Sequence, residues 1–354
     1  MRRLTEDEHR TFEEDGVVCL RGALEADAVG ELAEAIDALI PNVGRTSTGY
    51  DLERLGDEAY SDQDKVDVGM AKQYDADLFA GFLRYEGDRR IVDAVEAGAP
   101  KGQFLLDSGN WTRNAAIKRL ALHSHLPELA AGLMGASKVA FYDDQMFVKT
   151  PGTQQRTAFH QDYPFFNVEG FMGCVFWMPV DPVDEANGSL SYVRGSHRWQ
   201  TEYASSMFVS HTPMPGSSGE RVPDVEADPD AYDLVRFDTE PGDVVVHHFR
   251  TLHGAGGNRT ATRSRRVMSM RYIGEDMRYK WKPGAPRPPY HSYQKTDGDE
   301  VWCDDFPVVW PREHTEQTRK AEWGYQDVSN GLGTQGGRMT VAKKAAFETT
   351  ATVA

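Results

Sequence analysis

"KVAFYDDQMFVK", Lys138 to Lys149, is where the chain changes character. It is a run of β-branched and aromatic residues, and four more follow it. They are "GCVFWMPVD" (Gly173 to Asp181), "SLSYVRGSH" (Ser189 to His197), "GDVVVHHF" (Gly242 to Phe249) and "RRVMSMRYIG" (Arg265 to Gly274). Gly, Pro and Asn punctuate the runs. Short strands separated by turn residues are the pattern of an antiparallel sandwich or barrel.

Upstream of Lys138 the periodicity is helical. "LTEDEHRTFEEDG" starts with Thr5 followed three residues later by Glu8, a capping box, and Gly16 stops it. "VVCLRG" reads as a short strand. "EADAVGELAEAIDALI" puts Val29, Leu32, Ala33, Ile36 and Leu39 on one helical stripe. Residues 42–100 are polar and poorly periodic, an irregular insertion with short helices. "NAAIKRLALHSHLPELAAGLMGA" is helical again, with a break expected near Pro127. No internal repeat or linker divides the chain. The expected organisation is a single domain over 1–330: a helical region over 1–137, a β core over 138–280 and an extension over 281–330. The tail, 331–354, lacks large apolar residues and is expected to be mobile.

Composition narrows the function. The chain has 354 residues, 40% hydrophobic and 27% charged, as in an ordinary globular protein. A net charge of -16 disfavours nucleic acid and anionic membranes as partners. The three cysteines, Cys19, Cys174 and Cys303, have no metal or redox spacing, which suits a reducing compartment. No apolar run reaches the roughly 18 residues of a membrane span, and the start has no signal-like apolar core. A cytoplasmic enzyme acting on a small molecule is the expectation.

"AFHQDYPFF", Ala158 to Phe166, carries His160 and Asp162 amid four aromatic residues. In a strand, residues two apart share a face, so this pair can begin a metal site. Alone, H-x-D is more often a plain surface contact. "PGDVVVHHFRTLHGAGGN" adds His247, His248 and His253. Two histidines and a carboxylate form the facial triad of non-haem Fe(II) oxygenases, whereas zinc more often takes three or four protein ligands in a tetrahedron. His247 and His248 lie on opposite faces of a strand, so one of them packs elsewhere or supports the site. His253 precedes Gly254 at what reads as a Gly-rich turn. Arg263, Arg265 and Arg266 follow, and arginine suits a carboxylate through two parallel hydrogen bonds.

The order of these segments resembles the phytanoyl-CoA dioxygenase family of Fe(II)- and 2-oxoglutarate-dependent oxygenases. H-x-D comes first, then "NGSLSYVRGSH", then "PGDVVVHHFRTLHGAGGN", then a basic strand. "LTEDEHRTFEEDGVVCLRG" and "YDDQMFVKTPG" are similar to the family's opening and to the strand before its H-x-D, so the likeness covers most of residues 1–280. It implies a mainly β (α+β) fold: a double-stranded β-helix, the cupin-like jelly roll, with the N-terminal helices packed on one sheet. It implies His160, Asp162 and His253 as iron ligands, and Arg265 as the anchor of 2-oxoglutarate, with Arg266 one register away. Trp177 matches an aromatic position near the cosubstrate, and Gln145 and Lys149, on the strand before H-x-D, are expected to reach the same pocket. Two departures are Ala255, where the family often has serine, and "RGSH" for "PGSH", whose His197 reads as structural.

The reaction implied is oxidative decarboxylation of 2-oxoglutarate by dioxygen to succinate and carbon dioxide, coupled to hydroxylation of a small organic substrate. Asp162 argues against halogenation, which needs the carboxylate replaced by a small residue. The rival from another class is a non-redox cupin-like isomerase or binding protein, built on three histidines and a glutamate. The cations of "MRYKWKPGAPRPPY", Arg278, Lys280 and Lys282, are expected to meet an anionic group of the substrate or else to balance the acidic "DGDE", Asp297 to Glu300.

Overall fold

A computed structural model describes residues 2–45, 48–53, 94–206, 208–209, 211, 213–214, 216–285, 291 and 294–312. Most of the insertion read at 42–100, the end of the extension beyond 312 and the tail 331–354 lie outside the described residues.

Helix α1 (Glu6–Asp15) begins at the capping box: Thr5 accepts from the Glu8 amide and Glu8 accepts from the Thr5 amide. It stops at Gly16 in the left-handed region, φ 75, where a side chain is strained. A Cβ there would also strike His197 and Thr251, so the helix end, the "RGSH" loop and the loop before His253 meet at one glycine. Helix α2 (Ala26–Leu39) buries Leu32, Ala35, Ile36 and Leu39. The second helical stretch is two helices, α3 (Ala115–His123) and α4 (Leu126–Met134). The break falls at Ser124 and His125, and Pro127 sits in the first turn of α4, where its missing amide costs nothing.

The strands are β1 (Val17–Leu20), β2 (Tyr50–Asp51), β3 (Phe104–Ser108), β4 (Val139–Lys149), β5 (Thr157–His160), β6 (Val168–Glu169), β7 (Gly173–Pro179), β8 (Leu190–Val193), β9 (Leu234–Arg236), β10 (Val244–His248), β11 (His253–Ala255), β12 (Arg265–Gly274), β13 (Arg278–Tyr279) and β14 (Val308–Trp310). The larger sheet runs β1-β10-β7-β12-β4-β3-β2, with β14 also on β4. The smaller runs β5-β11-β8-β9, and β6 pairs with β13. The two main sheets form the expected jelly roll. Part of the insertion is regular, since β2 extends the larger sheet through β3.

Side-chain alternation gives the larger sheet two apolar faces. Phe176, Met178, Met268, Met270, Val244 and Val246 point outward, under the four helices. Trp177, Val245, Val267 and Phe147 point inward, toward Leu190, Tyr192 and Ala255 of the smaller sheet. Burying each large side chain contributes about 1.5–3 kcal/mol, so both faces hold the sheet rigid. Among the polar residues that interrupt the inward face, His247, Arg265, Ser269 and Arg271 line the site.

Candidate metal centre

β5 and β11 pair with His160 directly opposite His253, which brings the imidazole centroids to 4.3 Å. His253 thus opens a strand rather than sitting at a turn. Its neighbour Gly254 serves close packing: a Cβ there would lie 2.7 Å from the Phe159 ring and 2.9 Å from the Thr157 carbonyl oxygen.

Asp162 arrives by a different route from simple strand alternation. β5 ends at His160, and Asp162 has helical dihedrals, capping a short 3-10 turn at Tyr163–Phe165. The turn folds its carboxylate back to the imidazoles. Gln161 is buried as well, donating to the Arg250 carbonyl at 2.8 Å.

The ligand-type atoms of His160, Asp162 and His253 all lie within 4.8 Å of one another. His160 Nδ1 donates to the Ala158 carbonyl at 2.8 Å and His253 Nδ1 to the Thr251 carbonyl at 2.9 Å. With the proton on Nδ1, each Nε2 presents a lone pair. These lone pairs face Asp162 Oδ1 at 3.5 and 3.9 Å, and His160 Nε2 is buried with no hydrogen-bond partner. Three electron-rich atoms converge, and a cation is what satisfies them. Burial, reinforced by His160 and His247, holds the His253 pKa well below the usual range, so its imidazole is neutral. Burial alone would raise the Asp162 pKa. The surrounding imidazoles, with the hydrogen bond donated by His247, outweigh it and hold the group well below the carboxylate range.

His247 and His248 divide as their alternation requires. His247 enters the cavity and its Nε2 donates to Asp162 Oδ2 at 3.2 Å, which turns Oδ1 toward the other two histidines. His248 faces outward, donating from Nε2 to the Phe171 carbonyl at 2.6 Å and accepting the Arg250 amide on Nδ1 at 3.0 Å. Among the described residues one other group, His211, Asp224 and Glu226, has metal-ligand spacing, and none of its members lines this cavity.

The cavity is lined by Trp177, Arg265, Ser269 and Arg271 on the larger-sheet side and by Thr157 and Leu190 on the smaller. Arg265 is buried. Its Nη1 donates to the Gly188 carbonyl at 3.1 Å, its guanidinium lies 5.8 Å from the Trp177 ring centre, and burial pulls its pKa down to about 10. Among the described residues no carboxylate pairs with it. Arg266 points to the opposite face and is bound by Asp181 and Asp37. Arg263 pairs with Asp184 at the surface. Of the three arginines, the structure brings Arg265 to the cavity.

Gln145 and Lys149 do not line it. Gln145 accepts from Arg271 Nη2 at 2.6 Å. Lys149 donates to the Gly256 carbonyl at 2.6 Å and lies 4.4 Å from the Phe104 ring centre. Ala255 is buried against Leu190 and Thr157, so the hydroxyls available to a ligand are those of Thr157 and Ser269. The aromatics around H-x-D also separate. Phe165 lies 5.7 Å from the His160 ring, but Phe208, far along the chain, is nearer at 4.8 Å.

The cationic segment after the last core strand stays out of the cavity. Arg278 donates to backbone carbonyls, Lys280 pairs with Asp297 at 2.8 Å, and Lys282 donates to the Tyr163 carbonyl at 2.9 Å. The acidic-loop balance holds for Lys280; Lys280 and Lys282 line a separate pocket that Arg278 does not join.

A jelly roll with two imidazoles, one carboxylate and a buried arginine in one cavity defines a class of iron-site proteins. The chain belongs to the phytanoyl-CoA dioxygenase (PhyH) family of Fe(II)- and 2-oxoglutarate-dependent oxygenases, which residues 12–267 match. It is 29% identical over 144 residues to the multifunctional dioxygenase prhA of Penicillium brasilianum. That match covers 39% of this chain and 42% of the relative, so the chain matches less than half of that protein's length. The epimerase SnoN from nogalamycin biosynthesis shares the fold with TM-score 0.57 and 19% identity over 86% of this chain and 97% of that one. The carbocyclase SnoK from the same biosynthesis has TM-score 0.57 at 20% identity, over 87% and 97%. EctD from S. alaskensis, solved with 2-oxoglutarate and 5-hydroxyectoine, has TM-score 0.53 at 18% identity, over 83% and 86%. No helix among the described residues is long and apolar enough to cross a membrane.

Proposed function

We propose that the protein is a dioxygenase that hydroxylates a small organic molecule, with His160, Asp162 and His253 holding one Fe(II) and Arg265 holding the far carboxylate of 2-oxoglutarate. The observation that carries this reading is the convergence of two Nδ1-protonated imidazoles and Asp162 beside a buried arginine that has no carboxylate partner among the described residues. Trp177 forms the wall against which that arginine is fixed.

With 2-oxoglutarate and dioxygen, iron supplies an oxidant strong enough to take hydrogen from carbon, and the balance is one hydroxylated product, one succinate and one carbon dioxide. The chain's own contribution is geometry and dryness. His247 orients Asp162, while Phe165 and Phe208 shield His160 from water. The cupin-like isomerase reading needs a third histidine and a glutamate in the cavity. His247 instead donates to Asp162, His248 faces outward, and no glutamate lines the cavity among the described residues.

The test is succinate release from 2-oxoglutarate by the purified protein, with and without Fe(II) and dioxygen. The reading requires succinate formation that needs both. Conversion of a substrate without consumption of 2-oxoglutarate would refute it in favour of non-redox chemistry.

A further inference from the structure

Besides Arg265, the cavity contains a second buried arginine. Arg271 is 5% exposed and lines the cavity. Its Nη2 donates to Gln145 Oε1 at 2.6 Å, and its guanidinium lies 5.2 Å from the Phe166 ring centre. Its Nε is buried without a partner. No carboxylate pairs with it among the described residues, although buried charges are ordinarily paired.

The register says where this arginine stands. Arg271 pairs with Val175 on β7, and Val175 pairs with His247 on β10. The three form one rung across the larger sheet, so Arg271 is about 10 Å from His247 at roughly 4.8 Å per strand. His247 touches Asp162, so Arg271 is level with the metal ligands. Arg265 is six residues back along β12, roughly 20 Å of extended chain away. The two arginines are therefore rooted at different levels of β12, Arg271 at the level of His247. Beside Arg271 the register of β12 against β4 shifts by one residue, from Arg271 opposite Asp143 to Tyr272 opposite Phe141, with Tyr142 at the bulge. Such bulges re-aim side chains and recur next to functional sites. Here the bulge and Gln145 hold the guanidinium against the wall.

Phe147, Val175 and Phe208 supply the apolar lining of the cavity. Resting on the oxygenase reading above, we propose that Arg271 is the specificity-determining residue for the primary substrate. It binds a carboxylate there, so the substrate is a small carboxylic acid with an apolar or aromatic body. The charge-assisted contact fixes one end of the molecule while its apolar body lies toward the metal.

The experiment uses the full chain loaded with Fe(II) and 2-oxoglutarate under anaerobic conditions. The visible charge-transfer absorption of that complex reports ligands that enter beside the metal. The probes are benzoate, phenylacetate and hexanoate, each against its primary amide. The acids should perturb the absorption at concentrations at least about tenfold lower than the amides. Arg271→Met should abolish that preference, and Arg271→Lys should restore part of it, while 2-oxoglutarate titrates both variants as it does the native chain. The 2-oxoglutarate titration also shows that the variants are folded. The proposal is overturned if acids and amides act alike, if neither acts, or if Arg271→Met keeps the preference. Loss of 2-oxoglutarate binding in both variants also overturns it, by assigning Arg271 to the cosubstrate. If the native chain forms no complex with 2-oxoglutarate, the oxygenase reading fails and the proposal with it.

Discussion

Replacing Arg265 with methionine separates what this residue costs the fold from what it gives the ligand. Its guanidinium is buried, hydrogen-bonded to one backbone carbonyl and without a carboxylate among the described residues. A pKa pulled from the ordinary arginine range to about 10 by burial corresponds to roughly 3 kcal/mol of penalty on the charged form. The sign follows from the direction. A cation whose folded pKa is depressed destabilises the folded state at every pH where it is charged, so the ligand-free protein carries this cost at neutrality. Arg265→Met should therefore leave the Tm of the ligand-free protein unchanged or raised, as removal of a buried, unpaired charge does. Cosubstrate binding should weaken instead. Losing a charge-assisted contact worth about 1.5–3 kcal/mol raises the Kd for 2-oxoglutarate about tenfold to a hundredfold. Arg266→Met is the control. Its partners Asp181 and Asp37 lie partly exposed on the outer face, so it should lose about 1 kcal/mol of stability or less and no affinity for 2-oxoglutarate. The assay is anaerobic titration of 2-oxoglutarate into the Fe(II)-loaded proteins, with thermal melts of the ligand-free forms. An unchanged Kd in Arg265→Met together with a raised Kd in Arg266→Met would refute the argument.

Two further outcomes follow from the histidines. His247→Phe removes the donor that holds Asp162 Oδ2 and should weaken Fe(II) binding about tenfold to a hundredfold; a titration with no change would mean that Asp162 is oriented by other contacts. Burial pulls the His248 pKa down to about 3, and its Nδ1 accepts a hydrogen bond, so the folded state keeps it neutral. Burial lowers His247 in the same direction. The unfolded chain takes up these protons below about pH 6.5, so stability should be flat above that value. It should fall below it by up to about 1.4 kcal/mol per pH unit for each such histidine. Urea unfolding of the metal-free protein between pH 8 and 5 measures this, and a flat profile across that range would contradict it.

Much of the fold is legible because strand and helix signals are local. The capping box at Thr5 and Glu8, the glycine stop at Gly16 and the apolar runs of β4, β7, β10 and β12 all appear in the structure close to where the sequence places them. β3, "FLLDS", is not legible in the same way. All five of its residues are buried, so it shows no alternation, and it follows directly on a polar insertion.

The site is legible as a set of residue types and less so as geometry. H-x-D names His160 and Asp162, but a turn rather than a strand joins them. The choice between Arg265 and Arg266 depends on which face of β12 each residue takes, and only pairing across the sheet fixes that. The role of His247 depends on the same kind of long-range register. Phe208 reaches the cavity from a segment whose local sequence carries no motif, and Arg271 lies in the β12 run, where only the folded sheet shows that it faces the cavity.

The most direct test of the central claim is an equilibrium titration of Fe(II), anaerobically, into the native chain and into His160→Ala, Asp162→Ala and His253→Ala. The native chain should bind one equivalent, and each variant should lose at least about a hundredfold in affinity, because each removes an atom from the same three-ligand set. Native-like binding in His253→Ala would contradict the account and move the metal to another histidine.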